Sequence, residues 1–280
     1  MAVDPRQAIE AFEHSARSSE PYALATVVRT ENSTSAQPGA KVIITPEGEL
    51  IGWVGSSCVQ GAVRKVGQEV LKTRTAKLIR VRPKEDVMGS HDEDGVELHK
   101  SGCPSKGTSD IFVEPVLPRP QIVICGNSYV AQSLADLAAA SGYAILRAAP
   151  GLDPAEAEAH GEILSDFDFS GAKRLEQSYW VVATQGARDR DGLKAALAQD
   201  APYIAFVGSR RKIKKLKETL RAEGVPQAKL DQVLCPAGLN LGAIEPAEIA
   251  VSILAQIIQT RRAQEAETAP ADVEKKAKSA

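Results

Sequence analysis

Cysteine and histidine are scarce in this chain of 280 residues, at four each. The cysteines (Cys58, Cys103, Cys125, Cys235) stand far apart with no CxxC pair, and the histidines form no HxxxH pair. This spacing argues against a disulfide framework and a structural zinc site, and it fits a reduced, cytoplasmic protein. Neither sign of charge dominates: 34 basic residues face 36 acidic ones, for a net charge of -2. Nucleic acid and anionic membrane therefore find no global electrostatic footprint, and any anion site must be local. No apolar run approaches the ~20 residues of a membrane span. The first residues lack the basic region and apolar core of a signal peptide. No internal repeat is visible.

What is present reads as two domains and a tail. Asp4-Pro5 is a helix start, with Ile9, Phe12 and Ala16 as a short apolar stripe. Tyr22 to Arg29 is rich in β-branched residues and predicts a strand; Lys41 to Thr45 and Leu50 to Val54 predict a hairpin. From Val59 the apolar spacing turns helical through Val63, Val66, Val70 and Leu71. Ala76 to Val81 and Asp110 to Glu114 predict two more strands, separated by a long polar loop from Arg82 to Ser109. Val116-Leu117-Pro118-Arg119-Pro120 reads as a linker. Beyond it the pattern becomes βαβ, with strands at Gln121–Cys125, Tyr143–Leu146, Tyr179–Ala183 and Tyr203–Val207. A helix is expected over Ser133 to Ser141 and another over Pro246 to Arg262, the latter with Ile249, Ile253, Leu254, Ile257 and Ile258 as its apolar stripe. The fold class expected is α/β: a strand-rich N-terminal α+β domain over 1–117, then a Rossmann-like doubly wound parallel-sheet domain over 118–264. Small, polar and charged residues close the sequence, and 265–280 reads as a disordered tail.

Three local patterns suggest chemistry. In Gly55-Ser56-Ser57-Cys58 a glycine and two hydroxyl residues deliver a thiol to the start of a helix. Orphan N–H groups and the helix dipole there favour an anion and lower a thiol's pKa; a small packed cysteine opening an ordinary helix is the plain alternative. The turn Gly126-Asn127-Ser128-Tyr129-Val130-Ala131 is a degenerate dinucleotide fingerprint, with Ser128 in place of the glycine that admits a pyrophosphate. The NAD-specific carboxylate about twenty residues on is replaced by Arg147. The turn therefore reads either as a phosphate site or as a βα turn that only packs. In Gly208-Ser209-Arg210-Arg211-Lys212, cations fall where a helix begins, against its dipole. An anion held among them would reverse the penalty; a solvated basic helix is the alternative. Thr184, in the turn Thr184-Gln185-Gly186 after another strand, lies on the side where doubly wound sheets bind ligands. Cys103 sits in a second loop of glycines and hydroxyls. His91 and His99, near Asp92 and Asp94, read as part of a solvated loop, with metal binding as the alternative. Cys125 and Cys235 read as packing residues.

The runs ALATVVRTENSTSAQPGAKVIITPEGELIGWVGSSC, GCPSKGTSDIFVEPVLP, AFVGSRRK and CPAGLNLGAIEPAEIAVSILAQI together resemble the xanthine dehydrogenase accessory family of the XdhC/CoxI type. Their variant forms are closer to the branch associated with carbon monoxide dehydrogenase. The resemblance implies a maturation factor that binds the molybdenum cofactor as cargo, as molybdopterin or its cytosine dinucleotide. It also implies assistance in sulfurating the cofactor or inserting it into a client molybdenum hydroxylase, with a cysteine desulfurase as a further partner and a homodimeric state. It makes Cys58 the thiol facing the cofactor and the molybdenum. Ser56 and Ser57 stand where the family has glycines, Gln60 where glutamate is common, and Asn240 where the final motif has aspartate. The cofactor-binding set expected is Gly55, Ser56, Ser57, Cys58, Gln60, Cys103, Gly126, Asn127, Ser128, Thr184, Ser209, Arg210, Arg211, Lys212 and Asn240. Two other readings compete with it. One is an NAD(P)-dependent oxidoreductase built on the Rossmann-like half. The other is a sulfurtransferase pairing Cys58 with Cys103.

Overall fold

The computed structural model describes residues 20–32, 34–104, 106–153 and 161–268. The helix expected after Asp4-Pro5 lies outside them. The chain divides into two compact units, one running to Pro118 and the other from Arg119 to Glu267.

The first unit is built on a six-stranded sheet of β1 (Tyr22–Glu31), β2 (Lys41–Ile44), β3 (Leu50–Gly52), β4 (Lys77–Pro83), β5 (Glu97–Ser101) and β6 (Thr108–Val116). Its order is β3-β2-β1-β6-β4-β5. Neighbours are antiparallel except β4 and β5, which run parallel. Alternation selects the covered face: Ala23, Ala25 and Val27 of β1 are buried with Ile79 and Val81 of β4 and Ile111 and Val113 of β6. One helix, α1 (Ser57–Thr73), closes that face with Val59, Val63, Val66 and Val70. Gly67 lets it approach, since a Cβ there would lie 2.8 Å from Ile44 Cγ2. The long loop expected from Arg82 to Ser109 is corrected. It contains a 3-10 turn (Lys84–Asp86) and the edge strand β5. Tertiary pairing with β4 overrides a local sequence too polar to announce a strand.

The second unit carries an all-parallel sheet of β7 (Gln121–Cys125), β8 (Ala144–Ala148), β9 (Glu162–Leu164), β10 (Tyr179–Val182), β11 (Tyr203–Phe206) and β12 (Val233–Leu234), in the order β12-β11-β10-β7-β8-β9. Both faces are buried, which explains the uninterrupted apolar strands. On one face Ile122, Ile124 and Val181 meet α2 (Tyr129–Ala140) and the last helix, α6 (Pro246–Thr268), through Leu134, Ala138, Ile253 and Ile257. On the other, Val123, Trp180, Val182 and Phe206 meet α3 (Asp189–Leu197), α4 (Arg210–Ala222) and α5 (Gln227–Asp231) through Leu193, Ile213, Leu220 and Leu230. This is the doubly wound arrangement, with the strand order reversing between β7 and β10.

Three features of the helices differ from expectation. α2 starts at Tyr129 rather than Ser133, because the Ser128 hydroxyl accepts the Ala131 N–H at 3.2 Å and caps it. α6 runs to Thr268, so the tail expected to be disordered from 265 begins as helix. Glu265 accepts from Arg261 Nη1 at 3.3 Å and Arg262 Nη1 at 2.8 Å, supporting that last turn. Ile258, expected within the apolar stripe of α6, is instead exposed. Among the described residues no helix is long and apolar enough to cross a membrane.

Candidate functional site

In the first unit the thiol loop forms as the spacing suggests. Gly55 adopts φ +122°, and a Cβ there would come within 3.1 Å of the Ala36 side chain. Ser56 is the extended N-cap of α1, with no capping bond from its side chain and no acidic residue in the first turn. Ser57 is exposed, and Ser56 and Cys58 are half-buried. The Gln60 amide is turned back: Nε2 donates to Gly55 O at 3.0 Å and steadies the loop. Cys103 lies in the turn between β5 and β6, where its N–H donates to Ser101 Oγ at 3.2 Å. All four cysteines are free thiols.

In the acidic loop the polar side chains pair with one another and with Arg80. His99 Nε2 sits 2.9 Å from Glu97 Oε1, and His91 Nδ1 sits 3.1 Å from Ser90 Oγ. Asp92 pairs with Arg80 at 2.5 Å while accepting the Asp94 and Val96 N–H groups. Among the described residues no group of three or more His, Cys, Asp or Glu is placed to hold a metal ion. Arg80 is instead the hub of an ion cluster. Its hydrogen bonds hold the buried Asp110 carboxyl below the usual carboxylate range, with Arg29 assisting.

In the second unit the Gly126 turn stands at the point where the strand order reverses, the usual dinucleotide position. Here its polar groups are spent on the protein itself. Gly126, at φ +130°, packs so tightly that a Cβ would lie 2.4 Å from Ala183 O. The Ser128 hydroxyl donates to the same carbonyl at 2.7 Å. Asn127 Oδ1 accepts from Arg147 Nη2 at 2.6 Å and from Gln132 Nε2 at 3.1 Å. Thr184 donates through Oγ1 to Asp189, which also accepts the Gly186 N–H at 2.9 Å. Burial pushes the Asp189 carboxyl up, but hydrogen bonds from Lys212, Thr184 and Gly186 more than offset this and leave it below its ordinary value.

Lys212 therefore differs from its two neighbours. Its ammonium is ion-paired with Asp189 and lies 5.6 Å from the Phe206 ring centroid. Arg210 and Arg211 remain exposed beyond Ser209, which caps α4 by accepting the Lys212 N–H at 3.2 Å.

Arg210 opens onto a cavity of about 700 Å³ at the carboxyl end of β11 and β12. Asn240 lines the same cavity, and so do Cys235, Ser252 and Gln256, none of which was expected there. Its wall is the segment Cys235 to Ala243, which Gly238 seats against α6. Gly238 has φ +94°, and a Cβ would be 2.2 Å from Ser252 Oγ. Gln256 Oε1 fixes the segment by accepting the Gly238 N–H at 2.9 Å and the Tyr203 hydroxyl at 2.7 Å. Cys235 donates to Gly208 O at 3.3 Å. Its thiol is pushed up by burial and drawn partly back by Lys217 and Arg210. The signal in the sequence was the glycine- and proline-rich run CPAGLNLG; that Gln256, 18 residues after Gly238, returns to it is a property of the fold. With Val207, Leu239 and Ile249 also on its walls, the cavity combines apolar sides with one guanidinium and several amide and hydroxyl groups.

The model for the XdhC Rossmann domain matches residues 122–257, and that for the XdhC and CoxI family matches residues 15–82. The chain belongs to the XdhC and CoxI family. The cavity residues fall within the first match and the Gly55–Gln60 loop within the second, whereas Cys103 lies outside both. An Escherichia coli relative, called uncharacterized protein YqeB, is 26% identical over 253 residues, covering 86% of this chain and 44% of that protein. A Bacillus subtilis relative, called a probable xanthine dehydrogenase subunit, is 30% identical over 167 residues, covering 55% of this chain and 47% of that protein. This member of the XdhC and CoxI family thus spans less than half the length of either. A crystal structure described as a xanthine dehydrogenase from Bacillus halodurans is 20% identical and covers 91% of this chain and 96% of that one, with a TM-score of 0.44.

Proposed function

We propose that this chain is an XdhC-type accessory factor that carries the molybdenum cofactor and serves a molybdenum hydroxylase of the xanthine or carbon monoxide dehydrogenase type. The observation that carries the reading is the cavity at the end of β11. Its volume of about 700 Å³ suits a heterocycle with a phosphate arm. Arg210 supplies a charge-assisted donor for the phosphate, and Asn240 suits the amide-like edge of a pterin. Apolar walls from Val207, Leu239 and Ile249 give a planar ring a surface on which to lie. The molybdenum is cargo in this reading, and the thiol assigned to it and to sulfur handling is Cys58, because thiolates are soft ligands for such a centre. A carrier must release what it holds. Binding without turnover is therefore the expected activity, with a cysteine desulfurase as the sulfur source.

Support also comes from membership in the XdhC and CoxI family and from the name of the Bacillus subtilis relative. The NAD(P) reading is the weaker one. The Ser128 hydroxyl is engaged with Ala183 O and Asn127 Oδ1 with Arg147, so both side chains are committed to the protein rather than to a pyrophosphate.

The test is pterin content. Protein purified from a cofactor-synthesising host is oxidised and its released pterin measured by fluorescence. The wild type is expected to carry pterin well above a host lacking cofactor synthesis, and Arg210→Ala about tenfold less. A wild-type protein no richer in pterin than that control would end the reading.

A further inference from the structure

The exposed face of α4 has no role in the cavity beyond Arg210, and it is strongly basic. Its sequence, RRKIKKLKETLRA, holds seven basic residues and a single acid, Glu218. Ile213 and Leu220 bury one side against the sheet. Lys212 turns to Asp189, Lys217 donates to Val233 O at 3.5 Å, and Arg221 donates to Gln227. Arg210, Arg211, Lys214 and Lys215 point the other way, and among the described residues none of them meets a carboxylate at ion-pair distance. They repel one another at i,i+4 spacing and crowd the positive end of the helix dipole. In a chain whose net charge is -2, this is a local concentration of positive potential. In the cavity wall Leu241 is 58% exposed, and Ile244, the residue that follows the wall in the chain, is 81% exposed. Arg210 and Leu241 line the same cavity, so one cation of this face and an exposed apolar side chain share its rim.

The geometry points to this rim as a docking surface for an acidic protein segment that also presents an apolar side chain. Charge complementarity selects the partner's sign, and the exposed Leu241 and Ile244 select a protein over other polyanions. Single-stranded nucleic acid would call for aromatic stacking groups, and α4 has none. A membrane surface would call for a free apolar helix face, and that of α4 is buried. The inference rests on the accessory reading for the partner's role: docking at the mouth of the cavity places the recipient where cargo leaves.

The test uses the full chain, immobilised, against the purified apo form of the xanthine dehydrogenase-type hydroxylase made by the same cell. The comparison variants are K214E/K215E and Ile244→Ser, all outside the set assigned to cofactor binding. The double variant is expected to weaken apoenzyme binding about tenfold and to flatten its salt dependence. Ile244→Ser is expected to weaken it about threefold, and both variants keep wild-type pterin content. Apoenzyme binding that is unchanged in the double variant, or absent in the wild type, overturns the inference. So does tighter binding of a single-stranded DNA 20-mer or of phosphatidylserine vesicles than of the apoenzyme. Pterin content measured on the same preparations separates the two readings. In the wild type, docking absent with pterin present removes the surface alone, whereas pterin absent with docking intact removes the cofactor reading and leaves the surface standing.

Discussion

The turn after β7 and the turn after β11 start from the same device and finish differently. Each leaves a parallel strand through a glycine and caps the next helix with a serine, Ser128 for α2 and Ser209 for α4. Both serines are extended, at φ -71° and -76°, and each accepts the N–H three residues on at 3.2 Å. After β7 the neighbouring strand closes in, and Ala183 O takes the Ser128 hydroxyl and bars a side chain at Gly126. After β11 the chain beyond β12 swings away as the CPAGLNLG segment, leaving the cavity that Arg210 lines. A capped helix start is a local property; whether it faces a ligand depends on the next strand.

The contrast can be broken in several ways, beginning with the strongest. Gly238→Val and Gly126→Val both force a Cβ into backbone or side-chain atoms at a positive φ. Each should cost about 3 kcal/mol or more in urea unfolding. At expression temperatures where both still fold, only the Gly238 variant should lose pterin; equal loss in both would erase the distinction between the two turns. Next comes Asp189→Asn, which leaves Lys212 without its partner beside the Phe206 ring. About 1–3 kcal/mol of destabilisation is expected by the same measurement.

The pH dependence of stability follows from the same carboxylate. Asp189 and Asp110 are both held below their ordinary value when folded. The unfolded chain therefore takes up protons first as pH falls. The stability these pairs confer is complete above the ordinary aspartate value of about 4 and is lost as pH drops through their folded values. Unfolding free energy should fall more gently in acid for Asp189→Asn than for the wild type, and parallel curves would show that the pair contributes nothing.

Ser128→Ala should cost about 1 kcal/mol through the lost cap and leave pterin content unchanged. The smallest effect is expected for Arg211→Glu, which exchanges an unfavourable for a favourable charge at a helix start. It should stabilise by a few tenths of a kcal/mol in a thermal melt at low salt.

Legibility varied with how local each cause was. The parallel strands of the second unit and the valine stripe of α1 were plain because burial on one or both faces writes itself into the spacing of apolar residues. β5 was hidden, since Glu97-Leu98-His99-Lys100-Ser101 pairs with β4 through its backbone and shows no alternation. The two-residue β12 was too short to leave a pattern. Within the site, Arg210 and Asn240 were chosen from their motifs and share a cavity. Lys212 was grouped with Arg210 and Arg211 because adjacency along the chain says nothing about direction. Cys235 was read as a packing residue, although its sulfur borders the cavity while bonding to Gly208 O.

By itself, then, the sequence determined the fold class, the capped helix starts and the glycines that permit close approach, all of which follow from burial periodicity and backbone sterics within a few residues. Only the tertiary structure decided which of two equivalent helix starts faces open space. It also decided which cation of Arg210-Arg211-Lys212 is neutralised and which distant amide, Gln256, holds the cavity wall. Those outcomes depend on atoms that meet across strands, where hydrogen-bond satisfaction and close packing leave one arrangement and the order of residues along the chain carries no record of it.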